Sequence, residues 1–246
     1  MNKERLDNLI NEKGLADSRT QAQRLIMAGQ VRVDGVVVLK PATNCNKDVV
    51  IEIDHGPKYV SRGGEKIEAG LVAFDLKDLS DAVCADVGVS TGGFTDCLIQ
   101  HGAKKVYAID VGYGVLHWKL RNNPKVVVME RTNARYIKCL PEPVDIVTID
   151  ASFISLKYLL PNIKYWFGKR GGKVIALIKP QFEVGQSEAA KGEGVIRDPG
   201  LHRITVKKVI EFSCKEGYHL LGLIRSPLLG PKGNKEFLAY LSYCPK

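Results

Sequence analysis

The fold of this chain follows from the stretch Val83-Cys84-Ala85-Asp86-Val87-Gly88-Val89-Ser90-Thr91-Gly92-Gly93-Phe94-Thr95-Asp96. A short apolar run ends at Asp86, three glycines follow within six residues, and a helical pattern begins at Phe94. This pattern is typical of a strand, a tight loop and a helix N-terminus, where an open α/β sheet receives a ligand. Glycines let the backbone approach the ligand, and free helix N–H groups bind its polar atoms. We therefore predict a ligand site here, formed by Asp86, Gly88, Ser90, Thr91, Gly92, Gly93 and Phe94.

The spacing of these residues limits the choice of ligand. A dinucleotide loop has the spacing G-x-G-x-x-G, which these glycines do not follow, and a P-loop needs a lysine that is missing. Asp86 suits a cationic amino group, and Asp110, which ends the next apolar run, suits the hydroxyls of a ribose. An amino acid joined to a ribose without phosphate describes S-adenosylmethionine. The alternative is an ordinary α/β loop with turn glycines and two solvated acids.

The composition is that of a soluble globular protein. Of the 246 residues, 45% are hydrophobic and 26% are charged, which allows one large or two modest domains. The six cysteines are scattered, which indicates buried thiols in a reducing cytoplasm and neither disulfides nor a metal site. No stretch approaches the roughly 20 apolar residues of a membrane-spanning helix, and we expect no signal peptide. The net charge of +9 favours a polyanionic partner.

Residues 1–56 have the pattern of a separate unit. Short amphipathic helices are predicted over 5–13 and 18–29, the second with a capping box. The turn Asp34-Gly35 joins two valine-rich strands in a type I′ hairpin, and a last strand covers 49–53. Basic side chains that could contact RNA are Arg5, Arg19, Arg24, Arg32 and Lys40. An RNA-binding module fits this pattern, and a dimerisation or packing unit remains the alternative.

From residue 61 onwards, strands alternate with helices. Strands are predicted at 83–88, 105–111, 126–130, 145–150, 173–179, 218–226 and 236–243, and helices at 65–74, 153–167 and 199–216. This alternation predicts an α/β fold with a mostly parallel sheet covered on both faces. Residues 57–60 are predicted to be a short connector. Residues 181–198 lack apolar periodicity and are predicted to form a long mobile loop beside the site.

Two charged residues end strands at the edge where a parallel sheet presents its carboxyl ends. Asp150 ends one apolar run, and Lys179 ends the next, immediately before Pro180. Both are expected to face the crevice beside the glycine loop, although a structural ion pair would look the same. The chemistry they suit is methyl transfer to a hydroxyl, which requires alignment and removal of a proton. A lysine assists this reaction if its amine is unprotonated in a fraction of the molecules, or if its positive charge stabilises the developing alkoxide.

The complete set of residues resembles a known family. The loop 86–96, with Lys66, Asp150, Lys179 and Glu236, looks like the cofactor loop and Lys-Asp-Lys-Glu tetrad of FtsJ-like RNA 2′-O-methyltransferases. Residues 1–56 look like an S4 domain, a small fold that docks on structured ribosomal RNA, through the pattern Ser18-Arg19, Gln21-Ala22, Leu25-Ile26, Gly29-x-Val31-x-Val33-Asp34-Gly35. With both parts present, the chain is similar to the TlyA family, also called haemolysin A. Further matching stretches are Ser61-Arg-Gly-Gly-Glu-Lys66, Asp150-Ala-Ser-Phe-Ile-Ser-Leu156, Leu177-Ile-Lys-Pro-Gln-Phe-Glu183 and Lys232-Gly-Asn-Lys-Glu236.

The resemblance implies a class I, Rossmann-like methyltransferase domain over 61–246, with a seven-stranded sheet whose last two strands form a hairpin. It implies 2′-O-methylation of cytidine in the ribosomal RNA of ribosomal subunits, in the cytoplasm, with S-adenosylmethionine as cofactor and no metal. Lys179 would be the catalytic amine, assisted by Lys66 and Asp150 and completed by Glu236. The resemblance adds Asn133, Asp150 and Phe153 to the cofactor residues and Arg62 to the RNA-binding residues.

Three other functions fit parts of the pattern. A membrane-lytic haemolysin needs a segment able to enter a bilayer, and none is evident in the sequence. An RNA-binding assembly factor with a silent methyltransferase domain is disfavoured by the complete tetrad. A base methyltransferase usually has an Asp/Asn-Pro-Pro-aromatic motif, and the stretch Asp150-Ala-Ser-Phe153 lacks the prolines.

Overall fold

The computed structural model describes residues 3–54, 56–185 and 192–245. The chain divides into two compact units, Met1–Lys58 and Tyr59–Lys246. The connector predicted at 57–60 spans this division. Within the described part of the chain, no helix is both long and apolar enough to cross a membrane.

The first unit is a small α+β fold with an aliphatic core. Its helices are α1 (Leu6–Glu12) and α2 (Arg19–Met27), and its strands are β1 (Lys3–Arg5), β2 (Val31–Val33), β3 (Val36–Val37), β4 (Asn44–Asn46) and β5 (Ile51–Ile53). Strand β1 pairs with β4, while β3, β2 and β5 form a second, three-stranded antiparallel sheet. The helices contribute Leu6, Ile10, Ala22 and Ile26 to the core, because these apolar positions recur at helical spacing.

The structure confirms the predicted hairpin turn and the predicted helix cap in the first unit. Asp34 and Gly35 both have positive φ, 48° and 80°, as a type I′ turn requires. The hydroxyl of Ser18 accepts a hydrogen bond from the backbone N–H of Gln21 at 3.2 Å, which caps α2. The paired strands β1 and β4 were not predicted, since three residues are too few for an alternating pattern to be visible.

The second unit is built on a seven-stranded sheet, which confirms the predicted α/β architecture. Its strands are β6 (Val83–Val87), β7 (Lys105–Ile109), β8 (Val126–Met129), β9 (Ile146–Ile149), β10 (Gly172–Ile178), β11 (Tyr218–Arg225) and β12 (Phe237–Tyr243). The strand order is β11-β12-β10-β9-β6-β7-β8. Strand β12 is antiparallel to both of its neighbours, and the pairs from β10 to β8 are parallel. The last two strands therefore form the predicted hairpin.

Helices cover both faces of this sheet. They are α3 (Gly63–Ala73), α4 (Gly93–Gln100), α5 (Trp118–Arg121), α6 (Leu160–Ile163), α7 (Pro180–Glu183) and α8 (Pro199–Lys215). On one face, Ile67 and Leu71 of α3 and Leu98 of α4 pack with the strand residues Ile175 and Leu238. On the other face, the segment containing α6 and helix α8 pack against a second apolar cluster. The central strands β6, β7, β9 and β10 are largely buried on both sides, which explains why their sequences are continuous apolar runs.

Two predictions about the second unit were wrong in part. Residues 153–167 do not form one helix: two 3₁₀ turns, Leu156–Tyr158 and Lys164–Trp166, flank the single turn of α6. Pro161 lies at the start of α6 and has no N–H to donate, so a helix cannot run through this position with regular hydrogen bonds. The predicted loop 181–198 begins instead within α7 and ends at the start of α8, and its residues 186–191 lie outside the described part of the chain.

Candidate active site

A cavity of about 420 Å³ opens at the edge of the sheet where β6, β9 and β10 end. This edge collects polar side chains because parallel strands direct their carboxyl ends to the same side. All four residues of the predicted tetrad line this cavity: Lys66, Asp150, Lys179 and Glu236. The structure therefore brings together four residues that are distant in the sequence.

Lys179 directly follows β10 and is almost completely buried. Its Nζ lies 2.5 Å from Oδ1 of Asp150 and donates a hydrogen bond to Oγ of Ser152 at 2.9 Å. Asp150 follows the neighbouring parallel strand β9, so the two side chains meet through the register of the sheet. The result is an amine held at the cavity wall by a carboxylate and a hydroxyl.

A second ion pair lies in the same cavity. Lys66 lies in the first turn of α3, and Glu236 lies immediately before β12. The Nζ of Lys66 donates a hydrogen bond to Oε2 of Glu236 at 2.6 Å. The Glu236 side chain is fully buried, and its Oε1 has no hydrogen-bond partner among the described residues. A buried carboxylate oxygen without a donor is unfavourable unless a ligand supplies one. The four tetrad side chains thus form two ion pairs whose formal charges balance.

The glycine loop forms the floor of the cavity. Gly88 has a φ of +84°, and a Cβ at this position would lie 2.8 Å from the backbone oxygen of Asp150. The loop can therefore lie against the end of β9 only if residue 88 is glycine. Ser90, Thr91, Gly93 and Phe94 also line the cavity, as predicted for cofactor-binding residues.

A second cavity, of about 500 Å³, adjoins the first. The two cavities share Gly88, Ser90, Asp150 and Ser152 as lining residues. The second cavity also contains three further residues that were predicted to bind the cofactor: Asp110, Asn133 and Phe153. The two cavities are therefore adjacent to each other beside the glycine loop.

The side chains of the second cavity are held in place by local hydrogen bonds. Asp110 accepts the backbone N–H groups of Ser90 and Gly112, each at 2.7 Å, so its carboxylate is fixed at the cavity rim. Asn133 accepts the backbone N–H of Arg135 at 3.0 Å and begins a 3₁₀ turn. Phe153 is 90% exposed and has a φ of +63°. Such an exposed ring in a strained backbone conformation is typical of a functional position.

Two predicted cofactor residues do not line either cavity. Asp86 is fully buried, and its carboxylate accepts the hydroxyls of Thr95 at 2.7 Å and Thr148 at 3.0 Å. The expected direct contact between Asp86 and a ligand's amino group was therefore wrong; Asp86 instead ties the loop helix α4 to the sheet. Burial raises the pKa of Asp86 to about 7. A Cβ at Gly92 would clash with the side chains of Leu116 and Leu120, so glycine at this position allows these leucines to pack against the loop.

The predicted RNA-binding residues differ in their surroundings. Arg24 and Lys40 are exposed, and Arg32 donates a hydrogen bond to the backbone oxygen of Gly35 at 3.2 Å. Arg5 and Arg19 both form ion pairs with the buried Asp7. Arg62, in the second unit, is exposed at the rim of the first cavity.

Several site residues were not predicted. Ser152 contacts the Lys179 amine, and Gly230 lies so close to Glu236 that a Cβ would be 2.1 Å from Oε1. Glu183 accepts the Ser155 hydroxyl at 2.5 Å and the backbone N–H of Leu156 at 2.8 Å, which joins the segments after β9 and β10. Burial raises the pKa of Glu183. Ser152, Gly230 and Glu183 all lie within or beside stretches that resemble the family, but spacing alone does not single them out.

The fold and the site define a class I methyltransferase. The strand order with an antiparallel strand between β10 and β11, and the cavities over a glycine loop after the first strand of the sheet, are the features of that class. The chain belongs to the FtsJ-like methyltransferase family, whose model matches residues 59–243, and it carries an S4 domain, whose model matches residues 4–51.

Similar proteins cover nearly the whole chain. It is 46% identical to a Bacillus subtilis protein provisionally named rRNA methyltransferase YqxC, over 98% of this chain and 86% of the relative. It is 43% identical to the 16S/23S rRNA (cytidine-2′-O)-methyltransferase TlyA of Mycobacterium tuberculosis, over 96% of this chain and 89% of the relative. A solved structure from Streptococcus thermophilus, provisionally named a hemolysin, has 40% identity and a TM-score of 0.74, covering 100% of this chain and 90% of its own.

Proposed function

We propose that this chain transfers a methyl group from S-adenosylmethionine to the 2′-hydroxyl of a cytidine in ribosomal RNA. The observation that carries the proposal is the convergence of Lys66, Asp150, Lys179 and Glu236 on one cavity beside the glycine loop. The base and the class of RNA are inferred from the relative in Mycobacterium tuberculosis, whose name states that reaction.

The residues present fit S-adenosylmethionine. The second cavity offers Asp110 for hydroxyl groups of a ribose, and Asn133 and Phe153 for an adenine ring. The glycine loop and the residues after β9 line both cavities, where the cofactor would pass from one to the other. When bound, the cofactor supplies an electrophilic methyl group on a sulfonium. Transfer to an alcohol therefore needs alignment and proton removal from the protein, and no covalent intermediate with it.

The Lys179 amine is the group best placed to handle the hydroxyl proton. It lies at the cavity wall between Asp150 and Ser152, so its position is fixed before the substrate enters. As an ammonium it stabilises negative charge that develops on the ribose oxygen, and as a free amine it accepts the proton directly. Asp150 balances the charge of Lys179 whenever the amine is protonated. The Lys66–Glu236 pair holds a second amine in the same cavity without adding net charge.

The S4 domain is proposed to hold the enzyme on its RNA. Arg24 and Lys40 are exposed on that domain and can contact phosphates without breaking an internal contact, while Arg62 does so at the cavity rim. Ribosomal subunits are cytoplasmic, so this substrate agrees with the location predicted from the scattered cysteines. Binding is expected to weaken steeply with salt, because phosphate contacts release counterions.

The test is incubation of the full chain with tritiated S-adenosylmethionine and ribosomal subunits that lack ribose methylation. The proposal predicts label on RNA at a cytidine whose 3′-phosphodiester bond becomes resistant to alkaline cleavage, because a methylated 2′-oxygen cannot attack the adjacent phosphate. Label on a base would contradict the 2′-O assignment. Tight binding to subunits without any label, at cofactor concentrations that saturate the protein, would favour the silent assembly factor instead.

A further inference from the structure

One buried carboxylate in the first unit is shared by two of the predicted RNA-binding arginines. Asp7, in the first turn of α1, is fully buried. Its Oδ2 accepts hydrogen bonds from Nη2 of Arg5 at 2.9 Å, Nε of Arg19 at 3.0 Å and Nε2 of Gln23 at 2.8 Å. Its Oδ1 accepts Nε of Arg5 at 3.0 Å and the backbone N–H of Asn8 at 3.1 Å. Donors from three side chains and the backbone thus converge on one acid.

The two arginines keep Asp7 ionised. The hydrogen bonds from Arg5, Gln23 and Arg19 hold the pKa of Asp7 well below its usual range, against the effect of burial, and Asp7 raises the pKa of Arg5. A buried charge is tolerated when it is paired and fully hydrogen-bonded, as it is here. Two positive charges against one negative charge leave the cluster positive.

Each arginine contacts Asp7 with only part of its guanidinium group, so the rest of the group can bind a ligand. Arg19 is bound through Nε alone, and its two terminal nitrogens have no partner within the described ranges. Arg5 is bound through Nε and Nη2, which fixes the plane of its guanidinium. The side chains remain 41% exposed for Arg5 and 50% exposed for Arg19. A planar guanidinium fork that is fixed and exposed matches the geometry of a phosphate.

We propose that Asp7 is a positioning residue for RNA binding: it fixes Arg5 and Arg19 before the RNA arrives, so that both contact phosphates together. The proposal rests on the function proposed above, in which this unit binds ribosomal RNA. Charge alone makes the opposite prediction, since an acid in an RNA-binding surface repels phosphates and its removal should strengthen binding. Positioning predicts weaker binding, because two long side chains then lose their freedom only when the RNA binds.

The experiment compares Asp7→Asn with Asp17→Asn in the full chain. Both variants remove one negative charge from the same unit with little change in size. Asp17 is exposed, and its carboxylate makes no hydrogen bond among the described residues. Binding to large ribosomal subunits that lack the methyl group is measured by filter retention. We expect Asp7→Asn to raise the Kd about fivefold or more, and Asp17→Asn to leave it unchanged or slightly lower.

Kinetic measurements on Asp7→Asn distinguish a positioning role from a loss of folded protein. Asp7→Asn is expected to raise the KM for subunits while kcat and the stoichiometry of cofactor binding stay unchanged. A folding defect would instead lower both of those. If Asp7→Asn does not fold, Arg19→Lys decides the question: it keeps the charge of an exposed side chain but loses the Nε donor. Positioning predicts that Arg19→Lys weakens binding as much as Arg19→Ala.

The outcomes separate this inference from the proposed function. If the wild-type chain binds and methylates subunits, and Asp7→Asn binds them as tightly or more tightly, the positioning role is overturned alone. Unchanged binding by Arg19→Lys overturns it in the same way. If the wild-type chain neither binds nor methylates ribosomal RNA, the proposed function is overturned, and the positioning role with it.

Discussion

The Nζ of Lys66 lies 2.6 Å from Oε2 of Glu236, although 170 positions separate the two residues in the chain. Lys66 belongs to α3, which packs on one face of the sheet, and Glu236 precedes β12 at the cavity edge. The pair is buried, so each charge depends on the other, and removing one leaves an uncompensated charge. The geometry of this pair is therefore sensitive to anything that moves the Glu236 carboxylate.

A substitution at Gly230 is expected to move the Glu236 carboxylate. A Cβ at Gly230 would lie 2.1 Å from Oε1 of Glu236, so Gly230→Ala must displace that carboxylate or its loop. We expect the variant to lower kcat roughly tenfold or more, because misplacement by about 1 Å in an active site has effects of this size or larger. Cofactor affinity, measured by titration, should stay within a few-fold of the wild-type value.

The matched control for this variant is Gly185→Ala. Among the described residues, no atom would lie within 4 Å of a Cβ at Gly185, and Gly185 does not have positive φ, so we expect the added methyl group to be tolerated. Equal turnover by Gly230→Ala and Gly185→Ala would show that the position of Glu236 does not matter for transfer.

A substitution at Gly88 tests whether the glycine loop binds the cofactor. Gly88→Ala brings a Cβ to 2.8 Å from the backbone oxygen of Asp150, and it also places alanine at a φ of +84°. Gly114→Ala has the same kind of strain, with a φ of +72°, but no atom of the described residues lies within 4 Å of the added Cβ. Both variants should lose about 1–3 kcal/mol of stability. Only Gly88→Ala should also lose cofactor affinity, and comparable affinity in the two variants would contradict the assignment of this loop.

Asp86 makes the stability of the fold depend on pH. Burial raises its pKa to about 7 in the folded chain, whereas an unfolded aspartate has a pKa of about 4. Between these values the folded state holds a proton that the unfolded state has released, so the free energy of unfolding falls as pH rises. The slope from this one group is up to roughly 1.4 kcal/mol per pH unit.

Asp86→Asn removes that slope, because an amide does not titrate and the hydroxyls of Thr95 and Thr148 can still hydrogen-bond to it. Urea unfolding of both chains at pH 5 and pH 7 measures the effect. We expect Asp86→Asn to gain stability relative to the wild type as pH rises across this range. A constant difference between the two chains would show that the carboxyl group is not protonated in the fold.

Much of the fold could be predicted because strand sequences carry their own signal. Val83–Val87 and Gly172–Ile178 are buried on both faces, so their apolar runs are long and continuous. Asp150 and Lys179 could be placed at the cavity because each follows such a run. The broken helix after Phe153 could not be predicted, because apolar spacing alone does not show where a segment changes to 3₁₀ turns.

Other parts of the site depend on contacts that spacing does not reveal. No local pattern connects Lys66 with Glu236, and only the resemblance to a family suggests that they act together. The predicted role of Asp86 was wrong because the hydroxyls of Thr95 and Thr148, which satisfy its carboxylate, come from a helix and another strand. The charge of a side chain is visible in the sequence, while its burial depends on which distant residues surround it.

The most direct test of the central claim is single-turnover methyl transfer by Lys179→Met, with Lys173→Met as control. Lys173 lies within β10 and Lys179 directly follows that strand, so Lys173 is near the opposite end of the strand from the cavity. We expect Lys179→Met to lower the transfer rate at least about 100-fold while cofactor affinity changes little, and Lys173→Met to transfer at the wild-type rate. Transfer by folded Lys179→Met within a few-fold of the wild-type rate would contradict the assignment of Lys179 as the catalytic amine.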